Sequence, residues 1–163
     1  MVDMDDLLRL RTVLGGALDA ARSGDDDQTL FQFATLVSLS DDALRAAVIE
    51  LASANAEMLR GLAGLPDAGS VLGVDLFHGD GSEVEIDNVE PSLRVAIRIL
   101  LAVGHGHPDD VDRQLDVVDD VQDPAEMGLV LVHTLMWSVQ LMDACDGAGQ
   151  PIPSWIEHTA VSG

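Results

Sequence analysis

His105 and His107 stand one residue apart in the run Gly104-His105-Gly106-His107-Pro108, and Asp109 and Asp110 follow at once. Imidazole nitrogen and carboxylate oxygen are donor types of transition-metal sites, which hold several such groups at fixed geometry. In an extended loop the two rings can face one side, with Asp109 supplying oxygen. The set remains short of a fourth protein ligand, and the flanking glycines add an ordering cost that a metal must overcome. Asp75-x-x-His78 with Asp80 is thinner still, because it lacks the spacing and terminal Glu of a calcium loop. A small metal-dependent or ligand-binding helical protein using His78, His105 and His107 is thus the alternative reading.

His133 lies within an aliphatic stretch, four residues before Trp137. A histidine in such a place is expected to be a hydrogen-bonded core residue. Cys145 and His158 supply the types of a thiol–imidazole pair, but the sequence offers neither an orienting third group nor an oxyanion site. There is no Glu-x-x-His of a di-metal bundle, no Walker loop, no Gly-x-Ser-x-Gly and no His-Glu-x-x-His. No catalytic residue and no cofactor are assigned. Arg94 and Arg98, four apart on one helix face, suit ion pairs with Glu90 and nearby acids; as an interaction site they would anchor an acidic partner.

The charge balance narrows the partners. The 163 residues carry 22 Asp and 7 Glu against 8 Arg and no Lys, a formal net charge of -21. Codon bias or salt adaptation produces such a composition without any special partner. Its physical consequence is the same in every case: phosphate is repelled, so neither nucleic acid nor an anionic membrane surface is an expected partner. The lone Cys145 and the acidic start Met1-Val2-Asp3-Met4-Asp5-Asp6 fit a reducing, cytoplasmic location. The most apolar run, Met127 to Met142, falls short of the roughly 20 residues that a bilayer span needs.

The elements that must position these groups are mostly helices. Aromatics are scarce (three Phe, two Trp, no Tyr), so the core is aliphatic. Leu7, Leu10, Leu14, Ala17 and Ala21 recur at helical spacing over 4–22, with Gly15-Gly16 read as a close approach by a neighbour. Residues 27–38 fit either a helical or a strand stripe, and the acidic start favours helix. Ser40 caps a long helix to about Gly61, whose seam Leu44, Val48, Leu51, Asn55, Met58, Leu62 contains one polar residue. In a coiled coil a polar seam residue fixes register or oligomer state, so Asn55 is a candidate interaction residue; inside a bundle it is an internal polar contact.

Between Leu65 and Glu90 glycines and Pro66 break the helical pattern. Val84 and Ile86 alternate with Glu83, Glu85 and Asp87, which predicts a small β-hairpin near 70–89. Further helices are predicted from Pro91, from Pro108 and, after the Asp123-Pro124-Ala125-Glu126 start, through Cys145. The last is apolar nearly all round and reads as the buried centre. The expectation is a mainly α bundle of five or six helices in one domain, 1–163, with 1–64 and 90–163 as conceivable halves about the segment 65–89. The expected function is a non-enzymatic acidic module that binds another protein or a second copy of itself, with a DNA mimic as its narrower form.

Overall fold

Where the sequence places a polar cap ahead of an apolar stripe, a helix begins. The computed structural model describes residues 3–64, 76–77, 82–85, 88–120 and 125–156, the side chains of 76–77 and 119–120 excepted. The order is α1 (Met4–Ser23), α2 (Asp26–Val37), α3 (Asp41–Ala63), β1 (Leu76–Phe77), β2 (Glu83–Val84), α4 (Pro91–Gly104), α5 (Pro108–Asp120) and α6 (Ala125–Ala148). The protein is a mainly α helical bundle. Asp3 accepts from the Asp6 amide at 2.9 Å, Asp25 from Gln28 at 3.0 Å and Ser40 from Ala43 at 3.3 Å, so three helix starts satisfy an otherwise orphaned donor. The Asp25 cap decides the ambiguous segment: α2 is a helix. Gly24 and Gly64 take left-handed conformations (φ 75° and 69°) and end α1 and α3.

Strands β1 and β2 pair antiparallel, Leu76 with Val84 and Phe77 with Glu83, within the predicted hairpin region. Residues 78–81 between them, and so His78 and Asp80, lie outside the described residues. So do Asp75, Asp123, Pro124 and His158.

Helix α3 holds the centre, packing on α6, α4 and α1, while α5 lies against α4 and α2 along α1. One aliphatic cluster runs from Leu14 and Leu18 through Val48 and Leu51 to Ile99, Leu115 and Leu131, so it draws on both sides of segment 65–89. At Gly16 a Cβ would meet only the Gln32 side-chain amide of α2, at 3.4 Å, so the helices pack there without requiring glycine. At the far end Ile156 is buried, and Trp155 packs on the core with the Arg11 guanidinium 5.4 Å above its ring.

One expectation is corrected. Helix α6 is not sheathed on every side. Of its most apolar 18-residue window only 39% is buried, and Leu129 and Met136 stand open to solvent. Its α3- and α4-facing side is sealed, and the side bearing Met136 is left open among the described residues. At 24 residues α6 is also longer than its apolar run implied. By length and composition alone it could cross a membrane, and here it packs into the bundle.

Candidate functional site

Asn55 is fully buried, and its partners belong to α6 of the same chain. Its Nδ2 donates to the Thr134 carbonyl at 3.1 Å, and Ser138 Oγ donates to its Oδ1 at 2.7 Å. Ser138 Oγ also lies 3.0 Å from the Thr134 carbonyl. With one hydroxyl proton to give, the shorter contact takes it and the carbonyl is served by the Asn55 amide. A sealed, satisfied trio of this kind fixes how α3 and α6 register. The inter-subunit seam considered for Asn55 is therefore corrected to an intramolecular one: a second subunit has no access to a side chain with no exposed surface.

His133, Ser92 and Glu90 meet at the start of α4. Ser92 Oγ donates to Glu90 Oε1 at 2.6 Å, while His133 Nε2 lies 3.5 Å from Ser92 Oγ and 3.7 Å from Glu90 Oε2. The residue types are those of a hydrolase triad, and the geometry is not. A working triad needs the serine on one imidazole nitrogen and the acid on the other. Here both converge on Nε2, and the serine proton goes to the carboxylate instead of the base. His133 is half-buried, so the expected core histidine is a boundary residue with polar neighbours.

Arg94 and Arg98 differ in setting. Arg98 is exposed, whereas Arg94 is half-buried and gives its Nη2 to the Val89 carbonyl at 3.2 Å, with Nε enclosed and without a hydrogen-bond partner. Glu90, the acid expected to serve them, is turned to Ser92 and His133. His105 and His107 sit at the end of α4 with ring centroids 6.3 Å apart, edge to face. Among the described residues no three His, Cys, Asp or Glu side chains come together in a way that could hold a metal ion, so Asp109 does not complete a site with them.

The feature that sequence reasoning missed is a groove between α2 and α6, floored by α1. About 440 Å³ in volume, it is lined by Ala17 and Ala21 of α1, Leu30 and Phe33 of α2, and Leu135 and Met136 of α6, among others. Among the described residues that line it, only Thr29 and Gln140 are polar. Its lips are exposed: Leu30 at 65% and Met136 at 53%. Of α2, Leu36 alone is buried. The helices close toward one end, where a Cβ on Gly128 would lie 3.8 Å from Val37 Cγ1.

At the other end the charge is negative. Asp25, Asp26 and Asp27 begin α2, and Asp143 and Asp146 occupy the last turns of α6, which bear no basic residue. Acids at a helix C-terminus oppose the helix dipole. Arg22 relieves this partly, with Nε on Asp143 at 2.9 Å and Nη2 on Asp146. The hydrogen bond that Arg22 donates to Asp146, ahead of the one to Asp143, pushes the Arg22 pKa above its ordinary value against the opposing effect of burial. The partial signal in the sequence was α6 itself, a helix with more apolar surface than one core can cover.

No protein-family model matches this chain. No curated protein and no solved structure matches it either.

Proposed function

We propose that this protein is a non-enzymatic protein-interaction module, and that the α1/α2/α6 groove is its docking surface. One observation carries the reading: a groove of about 440 Å³ lined almost wholly by aliphatic and aromatic carbon, with Leu30 and Met136 exposed at its lips. Solvent-facing apolar side chains that stand singly need no explanation, but a contiguous concave set does. A helix laid into such a groove buries its apolar stripe against both walls. The DNA-mimic form has less support, because acids of α5 and α6 are bridged by arginines: Arg45 to Asp116 at 3.1 Å and Arg22 to Asp143 and Asp146.

Photo-crosslinking from position 136, in the cells that make the protein, tests the reading. Position 117 serves as the comparison, since Val117 on α5 is equally exposed at 53% and lies outside the groove. A discrete adduct with another protein from position 136, absent from position 117 and lost on adding Leu30→Gln, supports the groove. Equal labelling from both positions, or none from either, contradicts it.

A further inference from the structure

We infer that the groove receives an amphipathic helix of another protein that carries Lys or Arg clustered at one end. The inference rests on the docking reading above and names the partner's chemistry. Three observations lead to it.

The first is shape. The groove follows α2, which at 12 residues is about 18 Å long, the length of a little over three helical turns. Its floor is made of Ala17 and Ala21, small side chains that let a helix come close.

The second is charge. One end of the groove is apolar, with exposed Val37 and Leu129 nearby. The other gathers Asp25, Asp26, Asp27, Asp143 and Asp146, with Arg22 already committed to the last two. Among the described residues Asp26 and Asp27 have no ion-pair partner. A ligand helix with cations at that end meets both requirements at once, and one with acids there is repelled.

The third excludes a second copy as the favoured occupant. Neither α2 nor α6 contains an arginine, and the chain has no lysine. A second molecule would therefore bring its own apolar walls but, at the matching end, only an Arg22 already paired with Asp143 and Asp146, and each molecule carries a formal charge of -21.

Two fluorescein-labelled synthetic helices, about five turns long with one leucine stripe in common, make the test. One ends in Lys and Arg, the other in Glu, and each is titrated with the full chain by fluorescence anisotropy. The cationic helix should bind at least about tenfold more tightly at low salt, and the gap should narrow as NaCl approaches about 0.3 M. Asp26→Asn with Asp27→Asn should shrink the preference, and Leu30→Gln with Met136→Gln should weaken both helices.

Equal affinities that Leu30→Gln with Met136→Gln still lowers would overturn the cation inference and leave the docking reading standing. A cationic preference unaffected by those two substitutions would place binding on the acidic surface at large and overturn both. Failure of the cationic helix to bind at about 100 µM would overturn both as well. Sedimentation showing a dimer that Met136→Gln disperses would make a second copy the occupant and overturn the inference.

Discussion

Ser138 Oγ lies 2.7 Å from Asn55 Oδ1, a buried hydrogen bond across 83 residues of sequence that ties α6 to α3. Asn55→Ala removes both bonds of the carboxamide and leaves the Ser138 hydroxyl and the Thr134 carbonyl to each other. The expected loss is on the order of 2–4 kcal/mol, from two buried hydrogen bonds and the cavity left behind. Chemical denaturation checks the size. Ser138→Ala in the same background should add less than it costs alone, since the two residues share one bond.

Cys145 has no exposed surface, and burial, with a smaller contribution from the Asp146 carboxylate, holds its thiol pKa above the ordinary range. The folded state thus keeps a proton that the unfolded chain releases as pH rises through the range of a free thiol. Stability should be fully present below that range and decline above it, toward the raised folded value. Cys145→Ala should flatten this part of the profile. The native thiol should also resist an aromatic disulfide reagent and react once the chain is unfolded.

The helices were legible because their signals are local. Ser40 with Asp41-Asp42, the Asp25 cap and Pro91 each mark a start within a residue or two of the observed one. The groove was not legible, because it depends on how far α2 stands from α6, a distance that no spacing in the sequence encodes. Asn55 shows the same limit. A polar residue in an apolar seam is visible in the sequence, but whether Thr134 and Ser138 lie opposite it is settled by the packing of α3 on α6. Likewise His133 lies 41 residues from Ser92 and joins the Glu90–Ser92 pair only where α4 and α6 meet, and only the shared Nε2 shows that they form no relay.

With a formal net charge of -21, self-repulsion is expected to outweigh the ion pairs that salt also screens. The melting temperature should rise between about 0.01 M and 0.3 M NaCl. Calorimetry at several salt concentrations checks the sign, and a flat or falling trend would mean that the arginine bridges of Arg11, Arg22 and Arg45 outweigh the repulsion.

Leu36 is the one fully buried side chain of α2, so it anchors that helix. Leu36→Ala should cost about 2–5 kcal/mol and raise amide exchange first in α2. Leu30→Gln and Met136→Gln, at exposed positions, should change stability by no more than about 0.5 kcal/mol. This contrast separates the groove's scaffold from its contact surface.

The location of binding is the most direct test of the docking surface. Unlabelled cationic helix is titrated into the ¹⁵N-labelled full chain, and amide shifts are followed residue by residue. The expected result is that the shifts gather at Ala17, Ala21, Leu30, Phe33, Val132, Met136 and Val139, the walls and floor of the groove. Shifts gathered instead on the acidic face of α5, at Asp109, Asp112 and Asp116, with the groove amides unmoved, would contradict it.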